Sequence, residues 1–149
     1  MKKQKILVSA CLLGVNCRYD GLSKSDPKII NLLSRYNVVP VCPEQLGGLP
    51  TPRPAAEIFN GTGKEVLESK AFVENRDNIP VTDNFLKGAD QALKIAKLLS
   101  IKKAVFKERS PSCGVHYIRS GDKIIKGCGV TTALFLKNSI EVISDEEIE

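Results

Sequence analysis

The sequence predicts an α/β fold: a Rossmann-like three-layer arrangement with a mostly parallel sheet and a small hairpin excursion. Short apolar runs, Ile6-Leu7-Val8-Ser9-Ala10, Val38-Val39-Pro40-Val41 and Ala104-Val105-Phe106-Lys107, alternate with helical apolar stripes in the order of βαβ units. Each run also leads into irregular backbone that bears a cysteine: Cys11, Cys42 and Cys113. In a parallel sheet the carboxyl ends of the strands share one edge, where ligands bind, so these thiols are expected to converge. With 149 residues the chain has the length of one domain, and a single unit over 1–149 is expected.

After the first strand, Cys11-Leu12-Leu13-Gly14 opens a loop through Arg18-Tyr19-Asp20-Gly21. Ser25-Asp26-Pro27 supplies a cap with proline at the first helical position, and Ile29, Ile30, Leu32, Leu33 and Tyr36 space a helical stripe. The strand ending at Val41 completes a right-handed βαβ unit. From Cys42 to Pro54, four prolines and two glycines exclude regular helix and predict a rigid, exposed site loop. Asn60-Gly61-Thr62-Gly63 predicts the turn of a hairpin.

The clearest helix is Thr82 to Ser100, with Phe85, Ala89, Ala92, Leu93, Ala96 and Leu99 on one face. A third strand follows at about Lys103 to Lys107, then the loop Glu108 to Gly114. Val115 to Ile125 reads as a hairpin around Ser120-Gly121-Asp122. Gly127-Cys128-Gly129 precedes a short helix to about Leu136, and Ile140 to Ile143 is the last strand. The acidic end, Asp145 to Glu149, is expected to fray.

The composition, 42% apolar and 26% charged with 5% aromatic residues and no Trp, predicts a core of Val, Ile and Leu. No run of 18 apolar residues exists, and Met1-Lys2-Lys3-Gln4-Lys5 leads directly into a strand. A cytoplasmic protein with no membrane partner is therefore expected, and there grouped thiols point to metal binding or catalysis rather than disulfides. A single histidine, His116, argues against a Cys/His zinc finger or a Ser-His-Asp triad. The net charge of +5 is spread along the chain. Its densest stretch, Lys87 to Arg109, reads as a solvated helix face without the interleaved aromatics of a nucleic-acid platform.

Three thiols without a nearby histidine suit an iron–sulfur cluster better than zinc, which takes four protein ligands in structural sites. The residues alone leave a catalytic cysteine pair equally open. Glu44, two residues beyond Cys42, and Ser110 and Ser112, flanking Pro111, are candidates for proton transfer and substrate orientation. Arg18 and Arg53, with Tyr19 and Asp20, are candidates for the rim, and Arg53, held between Pro52 and Pro54, suits an anionic or carbonyl group. Cys17 and Cys128 are left outside the ligand set, and His116 reads as structural.

Several blocks together resemble the thiouracil desulfidase family. They are Val8 to Gly14, Arg18 to Gly21, Pro40 to Glu44, Gly47-Gly48-Leu49-Pro50 with Pro52-Arg53, and Lys107 through Ser110 to Gly114. The resemblance continues through Asp83-Asn84-Phe85, Gly88-Ala89 and Gly129 to Leu134, nearly the whole chain. It implies a [4Fe-4S] cluster held by Cys11, Cys42 and Cys113, a catalytic carboxylate at Glu44 and a catalytic serine at Ser110. It also implies non-redox, hydrolytic removal of sulfur from a small thionated base such as a 2-thiouracil-like compound. The competing readings are a cluster-free enzyme with Cys11 or Cys113 as its reactive thiol, and a metal- or cluster-bearing RNA-binding module.

Overall fold

A computed structural model describes residues 2–121 and 123–149. Its elements in chain order are β1 (Lys5–Ser9), α1 (Pro27–Ile30), β2 (Asn37–Val41), α2 (Pro43–Leu46), β3 (Ala56–Phe59), α3 (Gly63–Leu67) and β4 (Phe72–Asn75). There follow α4 (Thr82–Leu98), β5 (Lys103–Phe106), β6 (Tyr117–Ser120), β7 (Lys123–Lys126), α5 (Val130–Lys137) and β8 (Glu141–Ser144). The main sheet has the order β2-β1-β5-β8 and is parallel throughout.

The alternating side chains of these strands divide the core into two layers, as a doubly covered sheet requires. Leu7, Ala104 and Phe106 pack under Ala92, Leu93 and Ala96 of α4 and Phe135 of α5. Ile6, Val8 and Val105 point the other way, against Ile29 and Leu32. The three-layer α/β expectation therefore holds. A third cluster joins Ile58, Val73, Phe85 and Ile118, and seats the antiparallel pairs β3-β4 and β6-β7 beside the sheet.

Four local expectations change. Asp26 caps Lys28 N–H at 3.0 Å as predicted, but the helix is short and passes into a 3-10 turn at Asn31–Ser34. The proline-rich loop does contain a helix, because Pro43 occupies its first position, where no N–H is needed. β3 and β4 pair as a hairpin through α3 rather than through a tight turn, since Thr62 and Glu65 form a capping box that starts a helix there. The acidic end does not fray: Asp145–Glu147 forms a 3-10 turn, capped by Ser144 and with Asp145 buried. Of the predicted turn Ser120-Gly121-Asp122, Asp122 lies outside the described residues.

The seating of α2 on α4 fixes the position of the candidate site. A Cβ on Gly47 would come within 2.0 Å of Asn84 O, and one on Gly88 within 1.9 Å of Pro43 O. The two helices thus touch backbone to backbone. No residue other than glycine permits that approach.

Candidate active site

The chain passes from β1 to β2 on one side and returns to β5 on the other, so a crevice opens above the carboxyl ends of β1 and β5. It forms a cavity of about 1160 Å³ whose lining includes Cys11, Cys17, Cys42, Glu44, Ser110 and Cys113. The three strands thus deliver their cysteines to one place.

Each is held by a different local device. Cys11 lies in the 3-10 turn Ala10–Leu13 that continues β1 and is closed by Gly14 at φ 95°. Cys42 is the N-cap of α2, and Glu44 stands in the first turn of that helix. Cys113 lies in a loop gathered by the start of α5. There Val130 N–H donates to the Pro111 carbonyl and Thr131 N–H to the Ser112 carbonyl, both at 2.9 Å, and Thr132 Oγ1 donates to the Cys113 carbonyl at 3.0 Å. Ser9 Oγ accepts Lys107 N–H at 3.0 Å beside the loop, and the Cys113 thiol lies 4.0 Å from Ser112 Oγ.

All five cysteines are free. Cys17, which sequence reasoning set aside, is buried within hydrogen-bond reach of both Cys11 and Cys42. Its pKa is pushed up to about 11, chiefly by the hydrogen bond with Cys11. Cys42 is raised by its bond with Cys17, then by burial and by Glu44; Cys113 is raised by burial and then by Glu44. These thiols resist ionisation unless a cation is beside them, as thiolate ligation of a metal provides.

Arg53 is nearly buried and anchors the wall opposite. Its Nη2 donates to Glu44 Oε2 at 3.1 Å and to the Cys17 carbonyl at 2.9 Å, and its Nη1 to Pro50 O at 3.1 Å and Thr51 Oγ1 at 3.0 Å. The guanidinium, which also lines the cavity, thus holds Glu44 and two loops. The other Glu44 oxygen takes no hydrogen bond among the described residues, and Glu44 is part of the cavity lining. Ser110 Oγ accepts the N–H groups of Ser112 and Cys113 at 3.1 and 3.0 Å. With both acceptor positions used, its hydroxyl hydrogen is left to donate.

Ser112 does not reach the cavity. It is buried with its hydroxyl 2.8 Å from Thr131 Oγ1, because the α5 N-terminus packs directly behind it. Arg18 does line the cavity, 3.7 Å from Asp20 and over the Tyr19 ring. His116 turns to solvent and pairs with Glu147 at 2.7 Å, and Cys128 lies outside the cavity lining.

Sequence reasoning missed Glu108. Its Oε1 accepts the N–H groups of Val115, His116 and Tyr117 at 2.8, 2.9 and 3.0 Å. Burial pushes its pKa up, but these bonds outweigh that effect and hold the carboxyl below its ordinary range. A charge placed directly after the buried strand Ala104–Phe106, at the ligand edge of the sheet, was the available signal.

Several thiols at one end of a cavity form a soft donor set suited to iron–sulfur ligation. Among the described residues, no three Cys, His, Asp or Glu side chains close around a single ion. What speaks for a [4Fe-4S] cluster is the chemistry of the donor set, since Cys thiolates are the ligands that hold such clusters.

The family described as 2-thiouracil desulfurase matches residues 6–147. The chain belongs to this family. The uncharacterised protein YbbK of Bacillus subtilis (strain 168) is 42% identical to it over 146 residues, 96% of this chain and 97% of the relative. The solved structure of the [4Fe-4S]-dependent thiouracil desulfidase TudS superposes with a TM-score of 0.85 at 40% identity, over 98% of this chain and 93% of TudS. No helix among the described residues is long and apolar enough to cross a membrane.

Proposed function

We propose that the chain is an iron–sulfur-dependent desulfidase that replaces the sulfur of a thiouracil-class thiocarbonyl by oxygen from water. The convergence of Cys11, Cys42 and Cys113 beside Glu44, in a member of this family, supports the reading. Cys11, Cys42 and Cys113 would hold a [4Fe-4S] cluster. Such a cluster would supply a Lewis-acidic iron suited to soft sulfur.

The chain's own residues do the rest. Arg53 fixes one oxygen of Glu44 and leaves the other without a hydrogen bond among the described residues, free to take a proton from the attacking water. The Ser110 hydroxyl, its acceptor positions filled, donates toward the substrate. Water and thiocarbonyl give carbonyl and hydrogen sulfide, so no electrons are gained or lost. Val81 and Phe85, both buried, give the cavity an apolar wall. Five free thiols suit a reducing cytoplasm, and a small thionated base is the partner.

Anaerobic reconstitution tests this. Wild-type protein should bind about four irons per chain and release sulfide from 2-thiouracil. Cys113→Ala should lose the cluster absorbance, and Glu44→Gln should keep it while losing turnover. A full cluster in Cys113→Ala removes that ligand, and unchanged turnover in Glu44→Gln removes the base.

A further inference from the structure

The loop that carries Ser110 and Cys113 is gripped at both ends by the turn Asp145–Glu147, which is not part of the cavity lining. At its start, the Glu108 N–H donates to the buried Asp145 Oδ1 at 2.8 Å. The next residue, Arg109, has φ 68°, a backbone conformation that needs support from its surroundings. Its guanidinium supplies that support by forking onto both carboxylate oxygens of Glu146, with Nη2 at 3.1 Å from Oε1. At the far end, His116 Nε2 lies 2.7 Å from Glu147 Oε1. Three consecutive acidic residues therefore each hold a different point of one loop. The Glu108 carboxylate ties the two ends together through Val115, His116 and Tyr117.

We propose that Glu108 is a positioning residue for the site and that the acidic turn Asp145–Glu147 is its brace, together holding the 108–117 loop so that Ser110 and Cys113 face the cavity. The physical reason is connectivity. A loop between the end of β5 and the start of β6 has no ladder of its own: Ser110 takes the N–H groups of Ser112, Cys113 and Gly114 within it, and those of Val115, His116 and Tyr117 need another acceptor. One carboxylate oxygen accepting three successive N–H groups does this at a single point, and the Asp145 carboxylate fixes where that point sits. The role of the loop in the reaction rests on the proposed function, but its bracing does not.

The test is therefore made on full-length protein without a cluster, where it stands apart from ligation. Each cysteine's rate of alkylation by iodoacetamide is followed by mass spectrometry, with Cys42 on α2 as internal reference. In Glu108→Ala, labelling of the buried Cys113 should rise about tenfold or more, since local opening loses several hydrogen bonds to a charged group. Cys42 should keep its wild-type rate. Glu108→Gln retains the acceptor oxygen and should restore most of the protection. If Glu108→Ala fails to fold, the doubly substituted Glu146→Ala, Glu147→Ala protein decides, because both side chains are surface-exposed. Its Cys113 rate should rise severalfold. Wild-type protection of Cys113 in a folded Glu108→Ala protein, or in the double variant, overturns the brace. Loss of the cluster in Cys113→Ala remains a separate result and tests ligation alone.

Discussion

Replacing Gly88 by alanine should move the candidate site without touching it. The new Cβ lands 1.9 Å from the Pro43 carbonyl oxygen and 2.8 Å from its carbon, whereas real Cβ atoms stay beyond 3.0 Å. The backbones of α2 and α4 must therefore separate by about an ångström. Of the two, α4 is a 17-residue helix with Ala89, Ala92, Leu93 and Ala96 buried, while α2 has four residues between loops. The short helix yields. Pro43 lies between Cys42 and Glu44, so the N-cap thiol and the carboxylate shift together. Overpacking costs about 1–3 kcal/mol, and alanine returns about 0.8–1 kcal/mol of helix propensity. A net loss of up to about 2 kcal/mol should lower the melting temperature by up to about 8 °C. A misplacement of about 1 Å can cost about 100-fold in rate, so activity should fall far more than stability. The assay is sulfide release from 2-thiouracil by anaerobically reconstituted protein, alongside calorimetry and an Asp90→Ala control on the exposed face of α4. Wild-type kcat/KM with an unchanged melting temperature in Gly88→Ala would refute the reasoning.

Arg53→Ala should destabilise by about 3–5 kcal/mol, since it strips a nearly buried cation from Glu44 and leaves the Cys17 carbonyl without that donor. Arg53→Lys keeps the charge without the fork and should fall between, as thermal denaturation would show. Glu108 is held below its ordinary pKa of 4.5 in the folded chain. The unfolded chain therefore binds the extra proton first, and this contribution is present above about pH 4.5 and lost as the pH falls through the folded value. Melting curves from about pH 6 to about pH 3 should show a shallower acid loss for Glu108→Gln than for wild type. Cys17→Ser should retain a full complement of iron, because the proposed ligand set excludes Cys17; iron analysis showing a vacant or partial cluster would bring Cys17 into that set.

The strands, the Asp26 cap and the α4 stripe were legible because they are written in residues a few positions apart. So was the convergence of Cys11, Cys42 and Cys113, since a parallel sheet sends all its strand ends to one edge. The short α2 was hidden by its prolines, one of which starts a helix instead of preventing it. Arg53 looked free in the sequence. Only the folded chain brings Glu44 and the Cys17 carbonyl onto its guanidinium.

What the sequence by itself determined is the α/β framework and which thiols share its ligand edge, because hydrophobic period and strand direction are short-range properties of the chain. Only the tertiary structure decided the company those thiols keep. Cys17 joins Cys11 and Cys42, Ser112 turns inward onto Thr131, and the acidic end folds back to hold Glu108 and Arg109. Each of these depends on where distant segments come to lie in the packed core, and on which buried polar groups must then find partners.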